Sequence, residues 1–178
     1  MAALPYPCDA MGFLDRLLKS TTKPRSTMLS VSVSLRGGRY YIVTIHGSDG
    51  GDPCLAAGPV ETLGGDATPT TLGAAIRRAL QRTTHDRVYP ANAADWKAVT
   101  APLLSAAGCK TWSAFAKGAS DLRVNQTGTR VQVLPSVRDD KGAFAPVADR
   151  ERHLEAPSDD ELGSLVAAEL AFALARDG

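Results

Sequence analysis

Cysteine is scarce in this chain of 178 residues: Cys8, Cys54 and Cys109 are widely spaced, and no C-x-x-C occurs. An odd, scattered set argues against a disulfide framework and against a zinc site built from cysteines. Histidine is equally rare, and His46, His85 and His153 lack ligand spacing. No metal and no other cofactor is expected. Long apolar runs are missing, and none reaches the roughly 18 residues that a membrane-spanning helix needs. An excess of one charge is missing too. The formal net charge of +1 argues against a broad nucleic-acid surface and against an acidic tail. The opening MAALPYPCDAMGFLDRLLKS has no early basic cluster, and Asp9, Asp15 and Arg16 interrupt any apolar stretch. It does not read as a secretory leader, and the expected compartment is the cytoplasm.

Enzyme signatures are absent as well. The pairs Gly37-Gly38, Gly50-Gly51 and Gly64-Gly65 lack G-x-G-x-x-G or a following Lys-Ser/Thr and read as turns. Neither G-x-S-x-G nor H-E-x-x-H occurs. The enzymatic reading that remains is a small hydrolase or transferase using Cys54 or a histidine. Convergence of His46, Cys54 and His85 in one pocket would favour it. A further reading is a structural module that self-associates through its N-terminal helix.

What is present is alternation. Leu122 and Val124 enter a hairpin, Val131 and Val133 leave it, and Thr127-Gly128 forms the turn. Upstream, Trp112, Ala114 and Phe115 read as core. An earlier hairpin has the same form: Val31, Val33 and Leu35, the turn Arg36-Gly37-Gly38-Arg39, then Tyr41, Val43 and Ile45. Its second strand is apolar on both faces and is expected to be the more central. Residues 46–58 read as a loop by their Gly, Asp and Pro content, with a short strand over Val60–Leu63.

Helices are expected where the period changes. Thr68-Pro69 is a start signal, followed by Leu72, Ala75, Ile76, Ala79 and Leu80 on one stripe, with Arg77, Arg78 and Arg82 on a wet face. A second helix, capped by Asp95, runs over 96–107 to Gly108 and is interrupted or kinked by Pro102. Phe144–Val147 and Arg150–Glu155 suggest strands. Ser158-Asp159-Asp160-Glu161 is a capping box for a last helix with Leu162, Leu165, Val166, Leu170, Ala173 and Leu174 on one face. Residues 1–27 read as an appendage with a short amphipathic helix over Met11–Lys19.

The two halves, about 28–90 and 91–178, share this order at an offset of ninety positions. Gly38 matches Gly128, Tyr41 and Val43 match Val131 and Val133, and Leu72-Gly73 matches Leu162-Gly163. The expected fold is therefore one α+β domain over 28–178. Its sheet is mixed but mainly antiparallel, built from hairpins with three main helices on it, and its halves are related by a pseudo-repeat.

Acidic residues are dense from Asp139 to Glu161. Asp139, Asp140, Asp159 and Asp160, extended by Asp49 and Asp52 if the repeat brings the loops together, form a candidate patch for a basic partner.

Several stretches combine in a specific way: Pro102-Leu103-Leu104-Ser105-Ala106-Ala107-Gly108, Lys110 to Ala119, Val124-x-Gln126 with Gly128, Val131-x-Val133-x-Pro135, Gly142-Ala143-Phe144-x-Pro146 and Ser158 to Gly163. In these the second half, about 95–176, resembles the immunity proteins of bacterial contact-dependent growth inhibition systems. The resemblance implies a non-catalytic protein that binds the C-terminal toxin domain of a delivered surface protein, one to one, and neutralises it in the cytosol. Toxins of such systems are often nucleases, which an acidic face would suit. No direct contact with nucleic acid or membrane is implied.

Overall fold

A computed structural model describes residues 27–48, 51, 54–139 and 143–176, with side-chain surroundings up to 173. The appendage helix expected over Met11–Lys19, and the side chain of Leu174, lie outside these. Seven strands and four helices follow in the order β1 (Leu29–Arg36), β2 (Arg39–His46), β3 (Leu55–Gly64), α1 (Pro69–Leu80), α2 (Ala93–Ala106), α3 (Trp112–Ala116), β4 (Ala119–Thr127), β5 (Arg130–Arg138), β6 (Phe144–Pro146), β7 (Arg152–Glu155) and α4 (Asp159–Arg176). They form one open sheet of order β3-β2-β1-β4-β5-β6, with β7 pairing the other end of β5. Every described pairing is antiparallel. The class is α+β, as the patterning implied.

Alternation sorts the side chains onto two faces. Val31, Val33, Tyr40, Ile42, Leu122, Val124, Val131 and Val133 meet α1 and α4 on the first face. The stripe expected on α1 is buried throughout, from Leu72 to Leu80. On the second face Tyr41 and Val43 meet Leu103 of α2 and Phe115 of α3. The offset of ninety positions holds at the helices and not at the strands. Gly73 of α1 lies against the Asp159 backbone and Gly163 of α4 against the Pro69 backbone, a reciprocal crossing at an offset of ninety. In the hairpins, Tyr40 and Ile42 share the first face with Val131 and Val133, whereas Tyr41 and Val43 face the other way. The strands thus correspond at ninety-one positions, because one residue of slip reverses a strand's faces.

Several expectations change. β1, not β2, is central, because it pairs with β4 across the seam between the halves. The loop expected over 46–58 is shorter, since β3 starts at Leu55. A register shift opposite Thr44 accommodates the extra residues, with Gly58 at φ +115°. The turn at the second hairpin is Gly128-Thr129, with Gly128 at φ +60°. α2 is capped by Asn92, whose Oδ1 accepts from the Ala94 and Asp95 amides at 2.9 and 3.1 Å. It continues through Pro102 to Ala106. Trp112 is 42% exposed and Ala114 is exposed, while Phe115 is sealed. Aromatic character alone does not tell a core ring from one on a rim. The arginines of α1 are not simply solvated: Arg78 and Arg82 pair with Glu61 of β3, and Arg77 pairs with Asp159 at 2.5 Å. The capping box forms as expected, Ser158 Oγ accepting from the Glu161 amide at 3.2 Å and Glu161 accepting from the Ser158 amide at 2.7 Å.

Candidate functional site

The acidic candidates occupy two ends of the sheet. Asp139 follows β5, is exposed, and accepts from the Ala143 amide at 2.8 Å. Asp159 and Asp160 start α4 and face α1, the former pairing with Arg77 and the latter accepting from the Thr70 hydroxyl at 3.1 Å. α4 follows β7, which pairs with the first residues of β5. At roughly 3.3 Å per residue, the nine residues of β5 put about 26 Å between its two ends. The structure does not bring these carboxylates together. Asp140, Asp49 and Asp52 lie outside the described residues.

His46, Cys54 and His85 are neighbours around the β2–β3 connection. The Cys54 amide donates to the His46 carbonyl at 2.9 Å, and His85 Nδ1 is 3.0 Å from the Gly51 carbonyl oxygen. The His46 ring is nevertheless committed. Nδ1 accepts from the Thr84 amide at 3.2 Å, so Nε2 carries the proton and donates to the Ala57 carbonyl at 2.9 Å. Burial, then the charge of Arg87, holds its pKa below the usual value. This histidine ties the end of β2 to β3 and to the exit of α1. No cluster suited to a metal occurs among the described residues.

The second face of the sheet carries a different arrangement. Under α2 and α3 it is apolar. Toward β5 it is polar, because serines alternate with the valines of β1. Ser30 Oγ donates to Asn125 at 2.7 Å, Asn125 to Gln132 at 2.8 Å, and Gln132 to Glu151 at 2.6 Å, with His153 Nε2 2.7 Å from Glu151. The Gln132 amide, then the partly exposed His153, lowers the pKa of Glu151. Beside this ladder lies Asp121. Ser32 and Ser34 both donate to its Oδ1, at 2.9 and 2.6 Å. Desolvation pushes its carboxyl up to about 6 against these two hydrogen bonds. On the same face Tyr41, Phe115, Trp112 and Phe144 touch ring to ring from β2 to β6. They span the strands that carry Ser34, Asp121 and Ser136. Next to Ser32 an apolar cavity of about 290 Å³ opens between the sheet and α2, walled by Val43, Val60, Trp96, Leu103 and Trp112. Tyr89 packs edge-on against Trp96. Sequence reasoning missed this site. The available signal was the serine alternation of β1, which marks a polar second face, but nothing local placed Asp121 opposite it.

A family model described as CdiI, CDI immunity protein, matches residues 29–173. The chain belongs to the CdiI family. No curated protein matches it. Solved structures share its fold. A protein of unknown function from Neisseria meningitidis aligns with a TM-score of 0.65 over 85% of this chain and 96% of its own, at 20% identity. A chain of the CdiA-CT/CdiI toxin and immunity complex from Yersinia pseudotuberculosis aligns at 0.64 over 86% and 99%, at 15% identity. For a CdiI immunity protein the relevant chemistry is recognition. The features that suit recognition here are the aromatic rim, the cavity and the polar half-face, since tryptophan and tyrosine dominate interface anchors.

Proposed function

We propose that this chain neutralises the C-terminal toxin domain of a contact-dependent growth inhibition exoprotein, in the cytoplasm, as a one-to-one complex and without catalysis of its own. The observation that carries this is the CdiI family match over residues 29–173. The toxin is a nuclease in this reading. A cleft that grips phosphates is basic, and the carboxylates of Asp139 and the adjoining Asp140, flanked by Arg138 and Lys141 in the loop ending β5, are the groups proposed to meet it. Among the acidic residues, Asp159 and Asp160 serve the contact with α1, and the proposed contact rests on the β5 loop.

The test is co-expression with the C-terminal domain of the exoprotein encoded immediately upstream. Cells survive, the two chains co-purify, and light scattering gives the mass of a one-to-one complex. Charge reversal at Asp139 and Asp140 slows association several-fold, most at low salt, and leaves dissociation nearly unchanged. If the double variant associates at the wild-type rate, the β5 loop is not part of the interface.

A further inference from the structure

The cavity beneath α2 and the Asp121 carboxyl adjoin through one residue, Ser32, which lines the first and donates to the second. Oδ1 of Asp121 accepts two hydroxyls, whereas Oδ2 accepts no hydrogen bond among the described residues and is not sealed from solvent. The cation acting on it is Arg123, which is exposed. A half-buried carboxylate without a paired cation is costly, and a weakly hydrated cation that gives up little solvation on pairing offsets that cost. At about 290 Å³ the cavity sits at the lower limit of sites for small molecules. It offers an apolar wall and tryptophan faces, which suit a long aliphatic stem ending in a delocalised cation.

We propose that this cavity receives one arginine side chain of the toxin domain, its stem packed against Trp96 and Trp112 and its guanidinium on the Asp121 carboxylate. This deepens the toxin-binding reading above and rests on it. It assigns the tight anchor to the second face of the sheet, with the β5 loop acting at longer range.

The probe is the same upstream-encoded C-terminal domain, with association and dissociation rates measured separately. D121N and W112A each speed dissociation at least tenfold, with association within about twofold of wild type. D139K does the reverse. Thermal unfolding of D121N establishes that it is folded. Each toxin arginine is changed to methionine in turn, and one of them loses its effect in the D121N background, the non-additivity expected of a contacting pair. Dissociation of D121N within twofold of wild type overturns the proposal, as does the absence of any coupled arginine. A slow-binding defect in W112A alone means an apolar anchor, which also overturns it. Wild-type protein that fails to bind the toxin domain overturns the toxin-binding reading as well. Wild-type binding with D121N unchanged overturns only the arginine site.

Discussion

Asp121 and His46 pull stability in opposite directions with pH. The folded pKa of Asp121, about 6, lies above its unfolded value of 3.8. Its contribution is therefore fully present below the unfolded value and is lost as pH rises through about 6. D121N keeps an acceptor for Ser32 and Ser34 without the charge. At pH 7.5 its thermal midpoint is expected above wild type, by about 2–4 °C for each kcal/mol relieved, and the difference vanishes near pH 4. A lower midpoint at pH 7.5 would show that the carboxylate is compensated in the free protein. His46 has the reverse sign, since burial depresses its pKa from 6.5. Its contribution is present above pH 6.5 and is lost as pH falls further. H46Q should unfold with a weaker acid dependence below pH 6.5, at a cost of about 2 kcal/mol for the disturbed bonds to Thr84 and Ala57, read from urea titrations at several pH values.

The crossing of α1 and α4 leaves no room for a side chain at either of its glycines. A Cβ at Gly73 would meet the Asp159 backbone and one at Gly163 the Pro69 backbone. Neither neighbour is a flexible side-chain end, so the helices must separate. G73A and G163A should each cost about 2–3 kcal/mol, the upper part of the overpacking range. Denaturant midpoints check this, and a variant as stable as wild type would mean that the helices slide apart freely. On the other face, α3 is a single turn held by Phe115, which is fully buried between Tyr41 and Trp112. F115A should cost about 3–5 kcal/mol. It would also break the ring contacts that join Tyr41 to Trp112.

At the scale of the molecule, the two halves share one seam. β1 pairs with β4 over eight residue pairs, from Leu29–Gln126 to Arg36–Ala119, and the helices cross above it. Residues 28–90 alone would expose β1 as an edge and leave the apolar stripe of α1 half covered. Separately expressed fragments 28–90 and 91–178 are therefore expected to lack cooperative unfolding by circular dichroism, whereas the intact chain melts in one transition. A sharp melt in either fragment would make the halves independent domains. The second face is uneven, because α2 covers the β2–β3 side and α3 reaches only the start of β4, while the β4–β5 side shows its polar ladder.

Local patterns determined much of this. The valine alternation of β1, β4 and β5, the Thr68-Pro69 start and the capping box at Ser158 all follow from short-range stereochemistry. Each is settled within a few residues of itself. Tertiary structure alone decided which strand is central, that Trp112 stands on a rim, that Asp159 and Asp160 serve a helix contact, and that Asp121 accepts from Ser32 and Ser34. Alternation assigns a residue to a face, but burial and charge depend on what lies across that face. Here that means Phe115 and Trp112 from the helix just before β4 and Ser32 and Ser34 from about ninety positions earlier.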